Sequence, residues 1–285
     1  MSDIVLGDDL GPRGQRRVLI ATIVSGIAMA LAAVWMVKRF GDRGQLEWKL
    51  WKSVFTGSTF RYLLTGLRNT LTVSLVAMAL ALALGALGGF GRLDSNRVVR
   101  GISIAIIELF RATPLVLLIY FAGVAVPRYA FDLSSYWYLV IALALYNGSV
   151  IAEVFRAGIR ALGAGQMEAG LAIGLTQKQT LRLVLFPQAV RTMVPAIINQ
   201  LVTLLKDSSL GALVLLPAVD DLLRRGRQIG EFNRNPLQAL LITGLVYVLI
   251  NFVLSSTARR IETRQSRRQI AHADRMWTAT QLDAA

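Results

Sequence analysis

Long apolar stretches with few charges constrain this 285-residue chain more than any other feature. A helix needs about 20 mostly apolar residues to cross the roughly 30 Å of hydrocarbon in a bilayer. Six stretches meet that length, and we predict that each forms a transmembrane helix. They are residues 18–37, 63–91, 101–126, 133–159, 187–205 and 235–258. The sequence therefore predicts an all-α integral membrane protein with about six transmembrane helices.

The composition agrees with a membrane protein and argues against a soluble one. Hydrophobic residues make up 54% of the chain and charged residues 17%, with a mean hydropathy of +0.53. Soluble domains carry about 25% charged residues. The net charge of +14 would indicate nucleic acid as a partner of a soluble protein. In an apolar chain it fits basic loops beside lipid headgroups, so we expect a lipid bilayer and no nucleic acid as a partner.

The residues needed for several kinds of chemistry are missing from the sequence. There is no cysteine, and the single histidine, His272, lies in the polar C-terminal segment. Thiolate catalysis, cysteine-ligated metals and histidine-based triads are thereby excluded. We predict no catalytic residue, no metal site and no cofactor in this chain. It also lacks the G-x-x-x-x-G-K-[ST] loop that cradles nucleotide phosphates, so ATP-driven work would require a separate subunit.

The first apolar stretch has two interpretations, a membrane anchor and a cleaved signal peptide. Its Arg16-Arg17 start fits both. The apolar run exceeds the usual 7–15 residues of a signal peptide, and it ends in Trp-Met-Val-Lys-Arg at 35–39 instead of a small-x-small cleavage site. An anchor is therefore favoured. The predicted inner segments then hold 15 Lys and Arg residues against 12 outside, which favours both termini in the cytoplasm.

The segment 160–187 is too polar and too rich in glycine to cross a bilayer. It predicts a short helix before Gly174, a turn there, and a second helix that ends near Pro187. Thr176 is a suitable N-cap for the second helix because its hydroxyl can accept a backbone N–H. Such a pair of helices suits docking into a groove of another protein. An ordinary amphipathic surface loop explains the pattern equally well on physical grounds alone.

A family resemblance decides between these interpretations. Membrane subunits of ATP-binding-cassette (ABC) importers carry a cytoplasmic signature of E-A-A, three residues, G, nine residues and I-x-L-P. This chain resembles it at matching spacing in EAG at 168–170, G at 174 and VLFP at 184–187, with three conservative replacements. The resemblance implies that this segment contacts an ATPase subunit. The residues it assigns to that contact are Glu168, Ala169, Gly170, Gly174 and Pro187.

Three further motifs resemble the branch of these permeases that carries polar amino acids. The run ELFRATP at 108–114 looks like that branch's F-R-G-T-P element, with alanine for glycine. The run NGSVIAEVFRAGI at 147–159 is similar to A-E-x-x-R-G-G-I, and LKDSSL at 205–210 to L-K-D-T-S-L. The similarity covers about residues 60–258 and is greatest to the second permease of glutamate uptake systems.

The resemblance implies a five-helix, MetI-like type I ABC importer core preceded by one additional helix. The expected divisions are a cytoplasmic N-terminal segment 1–17, a transmembrane helix 18–37, an extracytoplasmic loop 38–62, the permease core 63–258 with its coupling loop 160–187, and a basic cytoplasmic tail 259–285. The implied partners are two copies of an ATPase subunit that binds ATP and Mg, a homologous second permease and an extracytoplasmic solute-binding protein. The expected location is the cell membrane.

Several polar residues interrupt the predicted spans and are candidates for a translocation path. Glu108 and Arg111 lie one turn apart, and two interpretations stay open: a contribution to the path or to the permease dimer, or a self-neutralised structural pair. Pro114 marks a hinge or a tolerated kink. Asparagines in apolar runs need a partner helix or a substrate to satisfy their amides. The candidates are Glu108, Arg111, Thr113, Pro114, Asn147 and Asn199. Glu153 and Arg156 repeat the spacing, where a near-surface ion pair is favoured.

Two other classes of function are weighed against an ABC permease. An ion-coupled secondary transporter of small polar solutes is the alternative, and it predicts internal inverted repeats, which the sequence does not display. An intramembrane enzyme would need a catalytic constellation that a chain without cysteine, and with its histidine outside the spans, cannot easily build. The leading prediction is therefore the permease subunit of an ATP-driven amino-acid importer.

Overall fold

A computed structural model describes residues 11–130, 132–213, 220–257 and 260, and every regular element in them is helical. The first five helices are α1 (Pro12–Asp42), α2 (Trp48–Lys52), α3 (Gly57–Arg92), α4 (Arg97–Ala112) and α5 (Leu115–Tyr129). Next come α6 (Ser135–Arg160), α7 (Ala164–Ala172) and α8, a continuous run of Gln177–Thr180, Leu181–Leu185 and Phe186–Asp207. The last three are α9 (Leu210–Leu213), α10 (Leu222–Phe232) and α11 (Pro236–Thr257).

The membrane-spanning helices match the predicted stretches with one difference. Helices α1, α3, α6, α8 and α11 are each long and apolar enough to cross a bilayer. The prediction of one helix over the stretch 101–126 is wrong. The stretch forms two helices, α4 and α5, which meet at an angle of 97°. Thr113 is extended, with φ −79° and ψ 126°, because proline disfavours helical backbone at the preceding residue. The expected number of six is reached when this bent pair is taken as one span.

Helix α6 forms the centre of the packed core. Of its most apolar 18-residue stretch, 67% is buried, whereas none of the corresponding stretch of α1 is. Leu139, Leu143 and Ile151 on α6 are fully buried. Helix α3 lies directly against α6, and a Cβ at Gly85 would sit 2.7 Å from the Cβ of Ile151 and 3.1 Å from the carbonyl oxygen of Gly148. The two backbones therefore approach as closely as glycine allows.

The segment between the fifth and sixth spans contains a helix, α10, that the sequence does not predict. Helix α10 packs against α3 and α11 through a small apolar cluster of Leu63, Leu222, Ile229 and Ala239. The backbone N–H of Leu222 donates to the hydroxyl of Thr70 on α3 at 3.0 Å. This polar contact and the apolar cluster fix α10 across the N-terminal end of α3.

The predicted extracytoplasmic loop 38–62 is mostly helical. Helix α1 continues to Asp42, α2 follows, and α3 begins at Gly57. The side-chain amide of Asn235 donates to the carbonyl oxygen of Leu50 and to the hydroxyl of Ser53, each at 2.7 Å, and so holds α2 against the start of α11. Helix α1 has no buried residue, so its apolar surface faces outward from the rest of the described chain.

Two predicted segments lie largely outside the described residues. Of the N-terminal segment 1–17, only residues 11–17 are described, and of the basic tail 259–285, only Arg260 is described.

The close approach of α3 and α6 predicts unequal effects of the same substitution at two glycines. Gly85→Ala should lower the free energy of unfolding by about 1–3 kcal/mol because its methyl group overlaps Ile151. Gly101→Ala, on α4, meets nothing within 4 Å and should change stability by no more than about 1 kcal/mol. The measurement is the unfolding temperature of the purified chain in detergent. Equal shifts for both variants would contradict this packing.

Candidate functional site

The turn after α7 has the geometry that the signature predicts. Gly174 has a φ of +85°, a backbone conformation that favours glycine. The N–H of Leu175 donates to the carbonyl oxygen of Gly170 at 3.1 Å, and that of Gly174 to Leu171 at 3.0 Å. These two bonds form a Schellman motif, the common way of ending a helix at a left-handed glycine. Gly174 thus stops α7 and directs the chain into α8.

Helix α8 begins with the expected N-cap. The Thr176 hydroxyl accepts from the backbone N–H of Gln179 at 3.3 Å, while the Gln179 side-chain oxygen accepts from the backbone N–H of Thr176 at 2.9 Å. This reciprocal capping box satisfies two N–H groups that a helix start would otherwise leave without partners.

The prediction that this second helix ends near Pro187 is wrong. The helix continues through Pro187 to Asp207 as one element. A π-helical turn at Leu181–Leu185 precedes the proline. Proline has no N–H, and its ring crowds the carbonyl four residues before it. The wider π turn accommodates both effects, so the second helix of the coupling loop and the fifth membrane span are mechanically one helix.

The coupling loop is anchored to the core by its apolar side chains. Leu181 and Leu185 are buried. The ring of Phe186 lies between two rings of the core, with centroids 4.8 Å from Phe90 on α3 and 5.7 Å from Phe155 on α6. These contacts hold the base of the coupling loop against the same ends of α3 and α6.

Gly170 replaces the second alanine of the signature, and its close contact with Thr180 accounts for the glycine. It is buried, and a Cβ there would lie 2.8 Å from the hydroxyl oxygen of Thr180 and 3.1 Å from its Cβ. Thr180 is itself fully buried. The contact brings α7 against the first turn of α8, where a larger residue at position 170 would not fit.

The remaining signature residues form an outward-facing surface. Glu168 and Ala169 are exposed, as is Pro187. Ile173 is 77% exposed although it is apolar. Among the described residues, no hydrogen bond or ion pair involves the Glu168 carboxylate. An apolar side chain as exposed as Ile173 often marks a surface that binds another protein, and the unpaired Glu168 carboxylate on α7 leaves a charge free for a partner.

Both predicted i, i+3 pairs belong to one larger group of charges, here called the ion cluster. Arg92 connects them: its Nη2 lies 2.8 Å from Glu108 Oε1, and its Nη1 lies 2.8 Å from Glu153 Oε2. Arg111 pairs with Glu108 at 2.9 Å and lies 3.7 Å from Glu153, while Arg156 pairs with Glu153. The Arg92 side chain is 10% exposed. The ion cluster therefore joins the ends of α3, α4 and α6.

An ion pair outside the ion cluster joins the coupling loop to the turn between α3 and α4. Lys178 Nζ lies 3.1 Å from Asp94 Oδ2, in the turn between α3 and α4. The backbone N–H of Asn96 donates to Asp94 Oδ1 at 2.8 Å. That hydrogen bond, and then the Lys178 ammonium, lower the pKa of Asp94 from its usual value. Asp94 therefore carries a negative charge at neutral pH.

The other candidates for the path lie apart from one another. The Thr113 hydroxyl donates to the carbonyl oxygen of Leu109 at 2.7 Å, so Thr113 and Pro114 form the bend between α4 and α5. Asn147 is fully buried, and its Oδ1 accepts from the Gln200 side chain at 2.6 Å. Asn199 is exposed on α8. Thr113 and Pro114 thus lie at a bend, Asn147 lies in a helix–helix contact, and Asn199 lies on an exposed helix face.

Comparison with known families agrees with the signature. The sequence profile of the family described as "Binding-protein-dependent transport system inner membrane component" matches residues 81–267. The chain belongs to this family.

Curated relatives in this family are permeases of amino-acid transport systems. The glutamate transport system permease protein GluD of Corynebacterium glutamicum is 40% identical over 223 residues, covering 77% of this chain and 81% of that protein. The arginine transport system permease protein ArtQ of Bacillus subtilis is 32% identical, with coverages of 71% and 92%. The glutamine transport system permease protein GlnP of Escherichia coli is 31% identical, with 77% and 98%. The predicted resemblance to these permeases is confirmed.

Solved structures of this permease fold superimpose on the chain. A crystal structure of an amino acid ABC transporter with histidines aligns with a TM-score of 0.67 and 24% identity, covering 73% of this chain and 95% of that one. An inward-facing structure of the MetNI methionine ABC transporter aligns with a TM-score of 0.62 and 20% identity, covering 74% and 99%. The expected MetI-like fold is confirmed.

Sequence reasoning missed two residues of this permease-family chain that organise the site. Arg92 follows an apolar stretch and reads as an ordinary positively charged end of a span. Asp94 is one of several polar residues in a short turn. The partners of Arg92 lie 16 and 61 residues later in the chain, and the partner of Asp94 lies 84 residues later. A local sequence pattern cannot predict contacts over such separations.

The contact between Gly170 and Thr180 predicts a pair of compensating substitutions. Gly170→Ala alone should open the coupling loop, because its methyl group overlaps the Thr180 side chain. Adding Thr180→Ala removes the overlapping atoms and should restore the loop. Limited trypsin digestion, with cleavage after Lys178 followed by mass spectrometry, measures the opening. A double variant that is cleaved as readily as Gly170→Ala would contradict the contact.

The ion cluster predicts that its arginines contribute unequally to stability. Arg92→Ala leaves two carboxylates without their shared, nearly buried partner, and should lower the free energy of unfolding by about 1–3 kcal/mol. Arg111→Ala removes a half-exposed partner and should cost less than about 1 kcal/mol. Unfolding temperatures in detergent compare the two variants. The reverse order would refute the bridging role of Arg92.

Proposed function

We propose that this chain is the permease subunit of an ATP-driven amino-acid importer, coupled to a separate ATPase through the coupling loop 160–187. The observation that carries the proposal is the exposed surface of α7 and its turn, where Glu168, Ala169 and Ile173 face outward from a rigid base. The signature of ABC permeases occupies these positions. The names of the curated relatives support amino-acid import.

The proposed substrate is glutamate or another polar amino acid. GluD, whose name assigns it to glutamate transport, is 40% identical to this chain, whereas ArtQ and GlnP, named for arginine and glutamine, are 32% and 31% identical. The higher identity favours glutamate. The three names together support polar amino acids as a class.

The proposed complex contains subunits that supply what this chain lacks. Two ATPase copies would bind ATP and Mg and contact the coupling loops. A homologous second permease would complete the translocation path, and a solute-binding protein would deliver the amino acid at the outer face. In this assembly the chain performs no covalent chemistry and binds no cofactor or nucleic acid. It spans the cell membrane with both termini in the cytoplasm.

A polar face of α8 supports a translocation path along that helix. Thr192, Asn199, Thr203 and Lys206 are all exposed, and their spacing of seven, four and three residues puts them on one face. Polar side chains within a membrane span normally face a bundle interior or an aqueous cavity. Asn199 is therefore the candidate of the original set best placed to meet a substrate.

The other candidates keep a proposed role in shaping the path. The bend at Thr113 and Pro114 and the ion pair of Glu108 with Arg111 hold α4 and α5 in place, while Asn147 supports α8 from behind through Gln200.

The coupling loop connects ATP binding to helix movement in this proposal. Closure of the two ATPases would displace α7, and because α8 continues without a break from Gln177, the displacement would tilt the membrane span itself. Binding energy that differs between two conformations of the permease would drive alternating access.

The proposal predicts that reversing one exposed charge separates the ATPase from the permease. The tagged chain is purified from its own membranes in mild detergent, and the co-purifying proteins are identified and quantified. An ATPase and a second permease should accompany the wild type, and Glu168→Arg should lose the ATPase but keep the second permease. Glu231→Arg, the same charge reversal at an exposed residue of α10, should keep both.

Two results would overturn the proposal. One is an ATPase retained in full by Glu168→Arg. The other is a chain that purifies alone and transports glutamate in proteoliposomes without ATP, which would favour an ion-coupled secondary transporter.

A further inference from the structure

The turn between α3 and α4 touches the coupling loop through a single ion pair. Lys178 Nζ lies 3.1 Å from Asp94 Oδ2. In the part of the chain that the structure describes, no other ion pair leaves the coupling loop 160–187. Arg160 and Arg182, the other cations of this loop, enter none there. Of the three cations in the loop, Lys178 is the one that lies close enough to Asp94 to form an ion pair.

Local structure holds both members of the pair in place. Asp94 accepts the backbone N–H of Asn96, which fixes its carboxylate. Lys178 lies in the first turn of α8, directly between the two residues of the capping box, Thr176 and Gln179. A cation is unfavourable there, because the N-terminal end of a helix carries a partial positive charge. The position of Lys178 is therefore explained by its partner and not by its helix.

The turn that carries Asp94 is connected to the core two residues earlier. Arg92 bridges Glu108 on α4 and Glu153 on α6, at 2.8 Å in each case. A force applied at Asp94 therefore reaches the ends of α3, α4 and α6 through charged contacts. The backbone of the coupling loop leads only into α6 and α8.

We propose that Asp94 and Lys178 are positioning residues that transmit the movement of the coupling loop to α3 and α4. This inference rests on the proposed function, since it requires an ATPase that moves the loop. The backbone of the loop moves α6 and α8, and the Phe186 ring already contacts Phe90 on α3. The ion pair adds a charged connection from the loop to the turn that joins α3 to α4. All four helices then respond together to one displacement of α7.

The exposure of the pair separates this role from a structural one. The Lys178 side chain is 65% exposed and that of Asp94 is 19% exposed. Ion pairs open to solvent contribute little to folding stability. Breaking this pair should therefore leave the unfolding temperature and the assembly of the complex unchanged, and alter only the communication between subunits.

The test uses the complete complex of both permeases, the ATPases and the binding protein in proteoliposomes. Its readout is the ratio of ATP hydrolysis with and without the loaded binding protein, using whichever of glutamate, glutamine and arginine stimulates the wild type. Asp94→Asn keeps an oxygen that can accept from Asn96 but loses the charge, and Lys178→Gln removes the other charge. Arg182→Gln is the matched control, an exposed cation of the same loop without an ion pair among the described residues.

We expect each single variant to lower the stimulation ratio by about two- to fivefold, with basal hydrolysis unchanged. The double variant Asp94→Asn/Lys178→Gln should be no worse than either single variant, because both remove the same interaction. Lys178→Arg and Arg182→Gln should behave as the wild type.

The inference is overturned if the two defects add, if Arg182→Gln is equally impaired, or if neither single variant differs from the wild type. In each of those cases the proposed function stands, since the wild-type complex still responds to its substrate. A wild-type complex that contains the ATPase but is stimulated by none of the three amino acids overturns the proposed function and the inference with it.

Discussion

The close contact between α3 and α6 is the constraint on which the rest of this permease depends. A methyl group at Gly85 or Gly89 of α3 would overlap a side chain of α6, and one at Gly148 of α6 would lie only 3.1 Å from the Cβ of Leu84. In a bilayer, apolar side chains gain little by leaving lipid, so such close van der Waals packing must supply the stability. Because the two helices are fixed over this length, their C-terminal ends are fixed too. At those ends, Phe90 and Phe155 contact Phe186 of the coupling loop. Arg92 pairs there with Glu153 and with Glu108 on α4.

The C-terminal ends of the helices also show how charge is tolerated beside apolar packing. The ion cluster combines three arginines with two glutamates, and its most buried member, Arg92, contacts both carboxylates. A half-buried carboxylate without such a partner would be costly, whereas here each glutamate is neutralised by at least two cations. The result is a polar junction among three helices, formed where the chain leaves its apolar core. At the N-terminal end of α3, an apolar cluster joins α3, α10 and α11, together with the hydrogen bond from the Leu222 N–H to Thr70.

The sequence predicts the helices well because apolar length is a local property, and the signature predicts the coupling turn because Gly174 and Thr176 act on their own neighbours. The bend at Pro114 was predicted only as a hinge or kink, since a proline specifies that a helix is disturbed but not by how much. The continuation of α8 through Pro187 is not predicted by the sequence, because nothing in the sequence indicates the π turn before the proline. Helix α10 was missed because it is short and rich in arginine. Arg92 and Asp94 were missed because their roles depend on residues brought near by the fold.

The continuity of α8 has a mechanical consequence for the path. Its 31 residues from Gln177 to Asp207 correspond to about 45 Å of helix, so a small rotation at the coupling loop becomes a larger displacement farther along. Two places in α8 can absorb such a rotation: the π turn at Leu181–Leu185 and the interior proline, Pro195. Phe186 pins the first of them to α3 and α6 through its ring contacts. In the proposed mechanism, bending of α8 would therefore concentrate at Pro195, one turn before Asn199 and two before Thr203. Movement of the coupling loop would then reorient the polar face of α8.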